Sequence, residues 1–247
     1  MKHLQDRKFW EGSWVQHLET YLKAPPRCGI WIRNWFGLSV APVLEIAGGS
    51  CRDSRFLALN GITATGSDFD EKTLDYLREK FADCPLELRQ ADALAMPFGD
   101  KSFGLTFSNG FWVCFADDET LRSLATEQAR VTQRWMLILV HNARNRRLVE
   151  DFRFKSAEDP LFDIRFFDPD EILALVESFG LGHKSLKVAK FGGIADKLYI
   201  KKIRSLPNPL ASLASCLAPR LYSLQRWEST ERVACIVELW KYRWRQP

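Results

Sequence analysis

Val43-Leu44-Glu45-Ile46-Ala47-Gly48-Gly49-Ser50-Cys51-Arg52 is the stretch on which the reading of this chain turns. A short apolar run that ends in small residues reads as a strand buried on both faces and leading into a tight turn. Arg52 to Asn60 then reads as a helix, stopped by Gly61. Small residues in such a turn let a ligand approach the backbone, and the amides opening the next helix favour a negative group. An open parallel sheet binds ligands beyond the carboxyl ends of its strands, where the strand order reverses. A nicotinamide cofactor would call for the spacing G-x-G-x-x-G, which this turn lacks.

Working outward, apolar runs alternate with helical patterns. Ile62 to Asp68 is a second strand, Glu71 to Phe81 a helix, and Leu86 to Gln90 a short alternating strand. Phe103 to Ser108, the helix Asp118 to Val131 and the apolar run Met136 to Val140 follow. After a basic loop, Asp168-Pro169-Asp170 opens a helix that stops at Gly180. Lys184 to Phe191 and Val233 to Trp240 are the last two strands. This alternation predicts an α/β fold, Rossmann-like, with a seven-stranded, mostly parallel sheet and helices on both faces. An acidic residue about 20 positions past the turn is expected to hold ribose hydroxyls, and Asp68 stands there. Asp92-Ala93 closes the next strand.

Four regions are expected. Residues 1–42 form a helical cap rich in aromatic residues, among them Trp10, Trp14, Trp31 and Trp35. Residues 43–203 form the core. Residues 204–231 are a helical insertion, with a leucine stripe interrupted by Pro219, that covers the substrate. Residues 232–247 hold the last strand and a basic tail. The chain carries 35 Lys+Arg against 31 Asp+Glu, a net charge of +4, too mild to imply nucleic acid. From Lys201 onward there are nine basic and three acidic residues, a surplus that allows weak contact with a membrane surface. Six cysteines form no C-x-x-C pair and no His stands at ligand spacing, so no metal site is expected. Scattered thiols, a polar Met1 to Arg7 and no long apolar run point to the cytoplasm.

From Val43 to about Val140 the chain resembles the class I S-adenosylmethionine (SAM)-dependent methyltransferases, in particular the small-molecule group that includes ubiquinone-biosynthesis C-methyltransferases. Four pieces match in order and spacing: the glycine turn, Gly66-Ser67-Asp68, Asp92-Ala93-Leu94-Ala95-Met96-Pro97-Phe98, and Asp100-Lys101-Ser102-Phe103 running into Phe107-Ser108-Asn109-Gly110. The resemblance implies SAM as cofactor. It implies that Glu45 organises the floor near the methionine moiety and that Ala47, Gly48 and Gly49 form the loop beneath the ligand. Asp68 would accept from the ribose hydroxyls, Phe69 pack on the adenine, Asp92 accept from its amino group and the Ala93 amide face the ring. Asn109 and Gly110 would approach the methionine end.

The chain departs from the family pattern at Ala47 and Cys51, where glycines are usual, and at Val113 and Cys114, where many relatives have a Glu-His pair. His141, after the fifth strand, is the replacement candidate for general base. Trp10, Trp14 and Trp112 are candidates to line the acceptor site, and Arg144, with Arg146 and Arg147, to clamp an anion on the acceptor. The reading is methyl transfer, favouring O-methylation, to a small-molecule, glycan or lipid-precursor acceptor, with an anionic one favoured by the arginines. Its rivals are a SAM-binding protein without catalysis and a nucleic-acid methyltransferase.

Overall fold

The computed structural model describes residues 7–193, 196 and 221–240. Most of the expected insertion, residues 204–220, and the tail beyond 240 lie outside them.

The glycine turn sits where the sheet reverses direction. Strand β1 (Val43–Ile46) pairs in parallel with β2 (Ala64–Asp68) on one side and with β4 (Phe103–Asn109) on the other. The chain first steps outward through β2 to β3 (Glu87–Gln90), then returns across β1 to β4 and β5 (Thr132–His141). Strand β6 (His183–Phe191) is the far edge, and β7 (Arg232–Leu239) inserts antiparallel between β5 and β6. The order is β3-β2-β1-β4-β5-β7-β6, so the crevice between the carboxyl ends of β1 and β4 is the switch point.

Side-chain alternation along the central strands builds two cores, one on each face. Met136, Ile138 and Val140 of β5, with Val233, Cys235 and Val237 of β7, pack under helices α5 (Asp118–Val131) and α7 (Pro169–Ser178). Leu137 and Leu139, with Ala234 and Ile236, face α2 (Arg27–Phe36) and α3 (Arg52–Leu59). The five residues Met136 to Val140 are wholly buried, and each aliphatic side chain so placed stabilises the fold by roughly 1.5–3 kcal/mol. Trp31, 1% exposed, roots the N-terminal cap in the second core. The cap's other helix is α1 (Arg7–Lys23).

Local signals set the helix starts. The Asp70 side chain accepts the Thr73 amide to open α4 (Glu71–Lys80), and Asp117 accepts that of Thr120 to open α5. Asp168 and Glu171 make a reciprocal capping box at α7. The basic segment after β5, expected as a loop, is in part helix α6 (Arg146–Lys155), capped by the Asn145 side chain on the Leu148 amide. Leu148, Val149 and Phe152 share one half-buried side of α6, which turns toward the cavities rather than into a core. Strand β5 is longer than its apolar run because β4 and β7 pair with its polar flanks as well. No helix among the described residues is long and apolar enough to cross a membrane.

Candidate active site

The turn after β1 is held in a strained form. Ala47 has φ 50° and Cys51 φ 46°, both left-handed, and Gly49 has φ 54°. For a non-glycine residue that conformation costs roughly 1–2 kcal/mol. The surroundings enforce it. The Gly48 amide donates to the Ser67 carbonyl at 2.8 Å, and the Cys51 amide to the Gly48 carbonyl at 3.0 Å. The wholly buried Cys51 thiol fills the space between strands: a Cβ on Gly48 or on Gly66 would stand 2.8 Å from its Sγ. The two residues that replace the expected glycines thus adopt the backbone that glycines would take.

Two buried carboxylates flank the turn. Asp68 accepts the Gly49 amide at 2.9 Å through one oxygen and the Asp70 amide at 3.2 Å through the other. Burial raises its pKa, although amide hydrogen bonds oppose this. Each oxygen keeps accepting capacity for a hydroxyl. Glu45 accepts the Ser54 amide at 2.8 Å. Burial, reinforced by the neighbouring Asp53, pushes its pKa up to about 8. Asp53 in turn takes the Gly29 amide at 2.8 Å and the Asn109 side-chain amide at 3.3 Å. The Asn109 oxygen accepts from Arg232 Nη1 at 2.8 Å, which lays the guanidinium over Gly110.

Above the turn lies α1. Trp14 packs on Gly49 so tightly that a Cβ there would come within 2.4 Å of the ring. Trp10 meets Trp14 edge-on, with centroids 6.0 Å apart, and Tyr21 lies 4.8 Å beyond. A cavity of about 250 Å³ opens between this aromatic ridge and the sheet. Its polar half is made by Glu45, the turn, Asp68, Phe69, Asn109 and Gly110. Its other half is apolar, made by Phe111, Val113, Phe152, Leu161, Phe162 and Ile164 around His141.

His141 is the last residue of β5, beside Arg232 in the β5–β7 register. Its ring packs against Phe152 at 5.0 Å and Phe166 at 5.8 Å. Burial, and then the charge of Arg232, holds its pKa well below the ordinary histidine value, so the imidazole is neutral at pH 7. Nδ1 is buried without a hydrogen-bond partner among the described residues. The same is true of Trp14 Nε1 and Arg52 Nε, whose side chains line the same cavity. Buried polar atoms left unpaired in a folded protein call for a partner from outside the chain.

Trp10, Trp14, Glu45, Ala47, Gly48, Gly49, Asp68, Phe69, Asn109, Gly110 and His141 therefore converge on one cavity. Four expected residues do not line it. Trp112 is 1% exposed and packs toward Phe179 in the core, because the tight turn at Trp112–Cys114 points its neighbours into the cavity instead. Arg144 is taken up by carboxylates: Asp168 at 2.7 and 2.9 Å and Asp170 at 2.6 Å. Asp92 accepts the Leu94 amide within its own turn, and Ala93 packs on core residues. Sequence reasoning missed Arg52, Asp53, Phe152 and Arg232. Arg52 and Asp53 stand just past the quoted turn and were legible as the first residues of the helix that faces it. Arg232 carried no signal, since only the fold returns β7 to the switch point.

Residues 43–134 match the family described as a methyltransferase domain. No curated protein matches the chain. Among solved structures it is similar to a SAM-dependent methyltransferase from Archaeoglobus fulgidus, at 16% identity and a TM-score of 0.60, over 91% of this chain and 99% of that one. It is also similar to magnesium protoporphyrin IX methyltransferase from Synechocystis with bound S-adenosylhomocysteine (SAH), at 11% identity and 0.57, over 92% and 84%. A possible histamine N-methyltransferase from Thermotoga maritima matches at 12% and 0.53, over 91% and 95%. At these identities the likeness is one of fold. The cavity described above has what a nucleoside–amino-acid ligand needs: a close backbone approach, the buried Asp68 carboxylate and the Trp14 Nε1 donor, unpaired among the described residues.

Proposed function

We propose that this chain is a SAM-dependent methyltransferase that transfers a methyl group to a hydroxyl oxygen of a small acceptor with an apolar body, with His141 as general base. Bound SAM supplies a methyl group already activated on a sulfonium. The chain's residues have three tasks: hold the cofactor, exclude water, and take the hydroxyl proton. Ala47, Gly48 and Gly49 give the backbone surface, Asp68 the acceptor for ribose hydroxyls, and Phe69 an aromatic face for the adenine. Glu45, Asn109 and Gly110 bound the methionine end. Trp10 and Trp14 cover the site.

The observation that carries the reading is the neutral His141, buried in the apolar half of the cavity with Nδ1 unpartnered among the described residues. A neutral imidazole accepts a proton; a protonated one cannot. As the new O–C bond forms and the S–C bond breaks, the hydroxyl proton passes to His141, leaving a methyl ether, SAH and an imidazolium that later releases its proton to solvent. The aromatic wall of Phe111, Phe152 and Phe162 favours a small apolar acceptor over a nucleic acid. The left-handed Ala47 and Cys51 keep the loop's shape, which favours a working enzyme over a degenerate binder.

The test is SAH release with matched alcohols, phenols and amines. Hydroxyl acceptors should be preferred, and His141→Asn should lower kcat/KM by about 10²–10⁴-fold while leaving SAH affinity intact. Because His141 titrates below the ordinary value, the rate should hold from neutral pH to below about 6.5 before its acid limb begins. An unchanged rate in the variant would exclude His141 as the base, and turnover of amines alone would exclude the oxygen acceptor.

A further inference from the structure

A second, larger cavity adjoins the active site, and its charges are unevenly satisfied. It holds about 930 Å³ and shares Tyr21, Arg52, Glu231 and Arg232 with the cofactor cavity. Those four residues therefore stand between the two cavities, on the side of α1 and α6. Among the described residues, four acidic and four basic side chains line it.

Each acidic group has a cation. Glu231 takes both terminal nitrogens of Arg27 at 2.8 Å, and Asp196 pairs with the same guanidinium. Asp151 meets Lys155 at 2.7 Å, and Glu228 meets Arg226 at 3.6 Å. Burial opposes ionisation of Glu231, yet the hydrogen bonds from Arg27 hold its pKa low, so the carboxylate stays charged.

The basic groups are not all matched in return. Arg147, exposed on α6, has no hydrogen bond or ion pair among the described residues. Arg52 gives Nη1 to the Tyr21 carbonyl at 3.0 Å; its buried Nε makes no hydrogen bond among the described residues and only a long ion pair with Asp53, at 3.8 Å. Arg232 donates to a neutral amide at Asn109 and reaches Glu231 only at 3.4 Å. The chamber thus has its carboxylates answered and guanidinium donors to spare, beside the place where an acceptor must enter. A guanidinium with free donors binds carboxylate and phosphate oxygens in preference to neutral groups.

We propose that this chamber is the specificity site of the acceptor, and that Arg52 and Arg147 hold an oxyanion on it, a carboxylate or a phosphate monoester. The acceptor's apolar body then reaches past Arg232 to His141, and its charged end stays in the chamber. The proposal rests on the reading of an acceptor site beside the cofactor turn, and it replaces Arg144 by Arg52 and Arg147 as the anion clamp.

The test is calorimetry on the full chain saturated with SAH. The probes are benzoate, hexanoate and phenyl phosphate, each beside its uncharged partner: benzamide, hexanamide and phenol. The charged probes should bind at least about tenfold tighter, the worth of one charge-assisted hydrogen bond. Arg147→Gln and Arg52→Gln should each bring that ratio toward one, with Arg147→Lys keeping part of it. Arg147 is exposed and unpaired among the described residues, so its variant should melt with the wild type. Benzoate favoured without phenyl phosphate assigns a carboxylate, and the reverse assigns a phosphate. Equal binding of charged and uncharged probes, binding of neither, or a ratio that survives both substitutions overturns the proposal. The readout is binding, so a protein that methylates no hydroxyl can still show the oxyanion preference. Conversely, turnover of hydroxyl acceptors without that preference sinks the chamber alone.

Discussion

Replacing each of the two left-handed residues of the cofactor turn by glycine should move stability by different amounts. Ala47 and Cys51 share nearly the same φ, 50° and 46°. Either substitution relieves roughly 1–2 kcal/mol of backbone strain and gives back about 0.4–1 kcal/mol through the freer unfolded chain. Those contributions cancel when the two variants are compared. What remains is the side chain. Ala47 is half-buried and loses one methyl, so Ala47→Gly should lie within about 1 kcal/mol of the wild type. Cys51 is wholly buried, with Sγ wedged between Gly48 and Gly66. Removing it forfeits the burial and leaves a void, so Cys51→Gly should be about 2 kcal/mol less stable than Ala47→Gly. For a chain of this length that is a gap of about 4–8 °C in melting temperature. Thermal or urea unfolding of the two variants, side by side without ligand, reads it directly. If Cys51→Gly proves as stable as Ala47→Gly, the thiol is not the wedge that shapes this turn.

Two further outcomes follow from the same geometry. Gly49→Ala combines a left-handed φ with a Cβ 2.4 Å from the Trp14 ring, so melting should drop and Trp14→Ala should recover part of the loss; a strictly additive double mutant would deny the contact. Glu45, whose pKa is raised to about 8, contributes stability that is fully present below its unfolded value near 4.5 and lost as pH rises through about 8. The melting temperature of the wild type should therefore fall relative to Glu45→Gln between about pH 5 and 8 and run parallel to it above, and parallel curves across pH 5 to 8 would place the ionisation elsewhere.

The sheet was largely legible because its central strands are apolar on both faces, a pattern that tertiary packing preserves. Helix α5 opens at an Asp117 cap that the sequence displays, and its expected bounds match. Helix α6 was harder to see: its apolar side, Leu148, Val149 and Phe152, is only three residues among arginines and acids, and its Asn145 cap alone is a weak signal. The cofactor turn was legible in its smallness but not in its strain. A sequence cannot say that Ala47 and Cys51 are held left-handed, since the enforcing contacts come from Ser67, Gly66 and Asp68 on another strand. Arg144 misled because its partners, Asp168 and Asp170, lie far along the chain. Trp112 misled because in a tight turn adjacent side chains point opposite ways, and one residue's shift exchanges the core for the cavity. Arg232 gains its meaning only when β7 returns to the switch point.

The central claim is that a nucleoside–amino-acid ligand lies across the turn after β1 with its sugar held by Asp68. Calorimetric titration of SAH into the wild type and into Asp68→Ala tests it most directly. The account predicts one site per chain and a loss of at least about tenfold in affinity for the variant, the scale of a hydrogen bond to a charged group. Equal affinity in the two proteins, or no binding to the wild type, would contradict it.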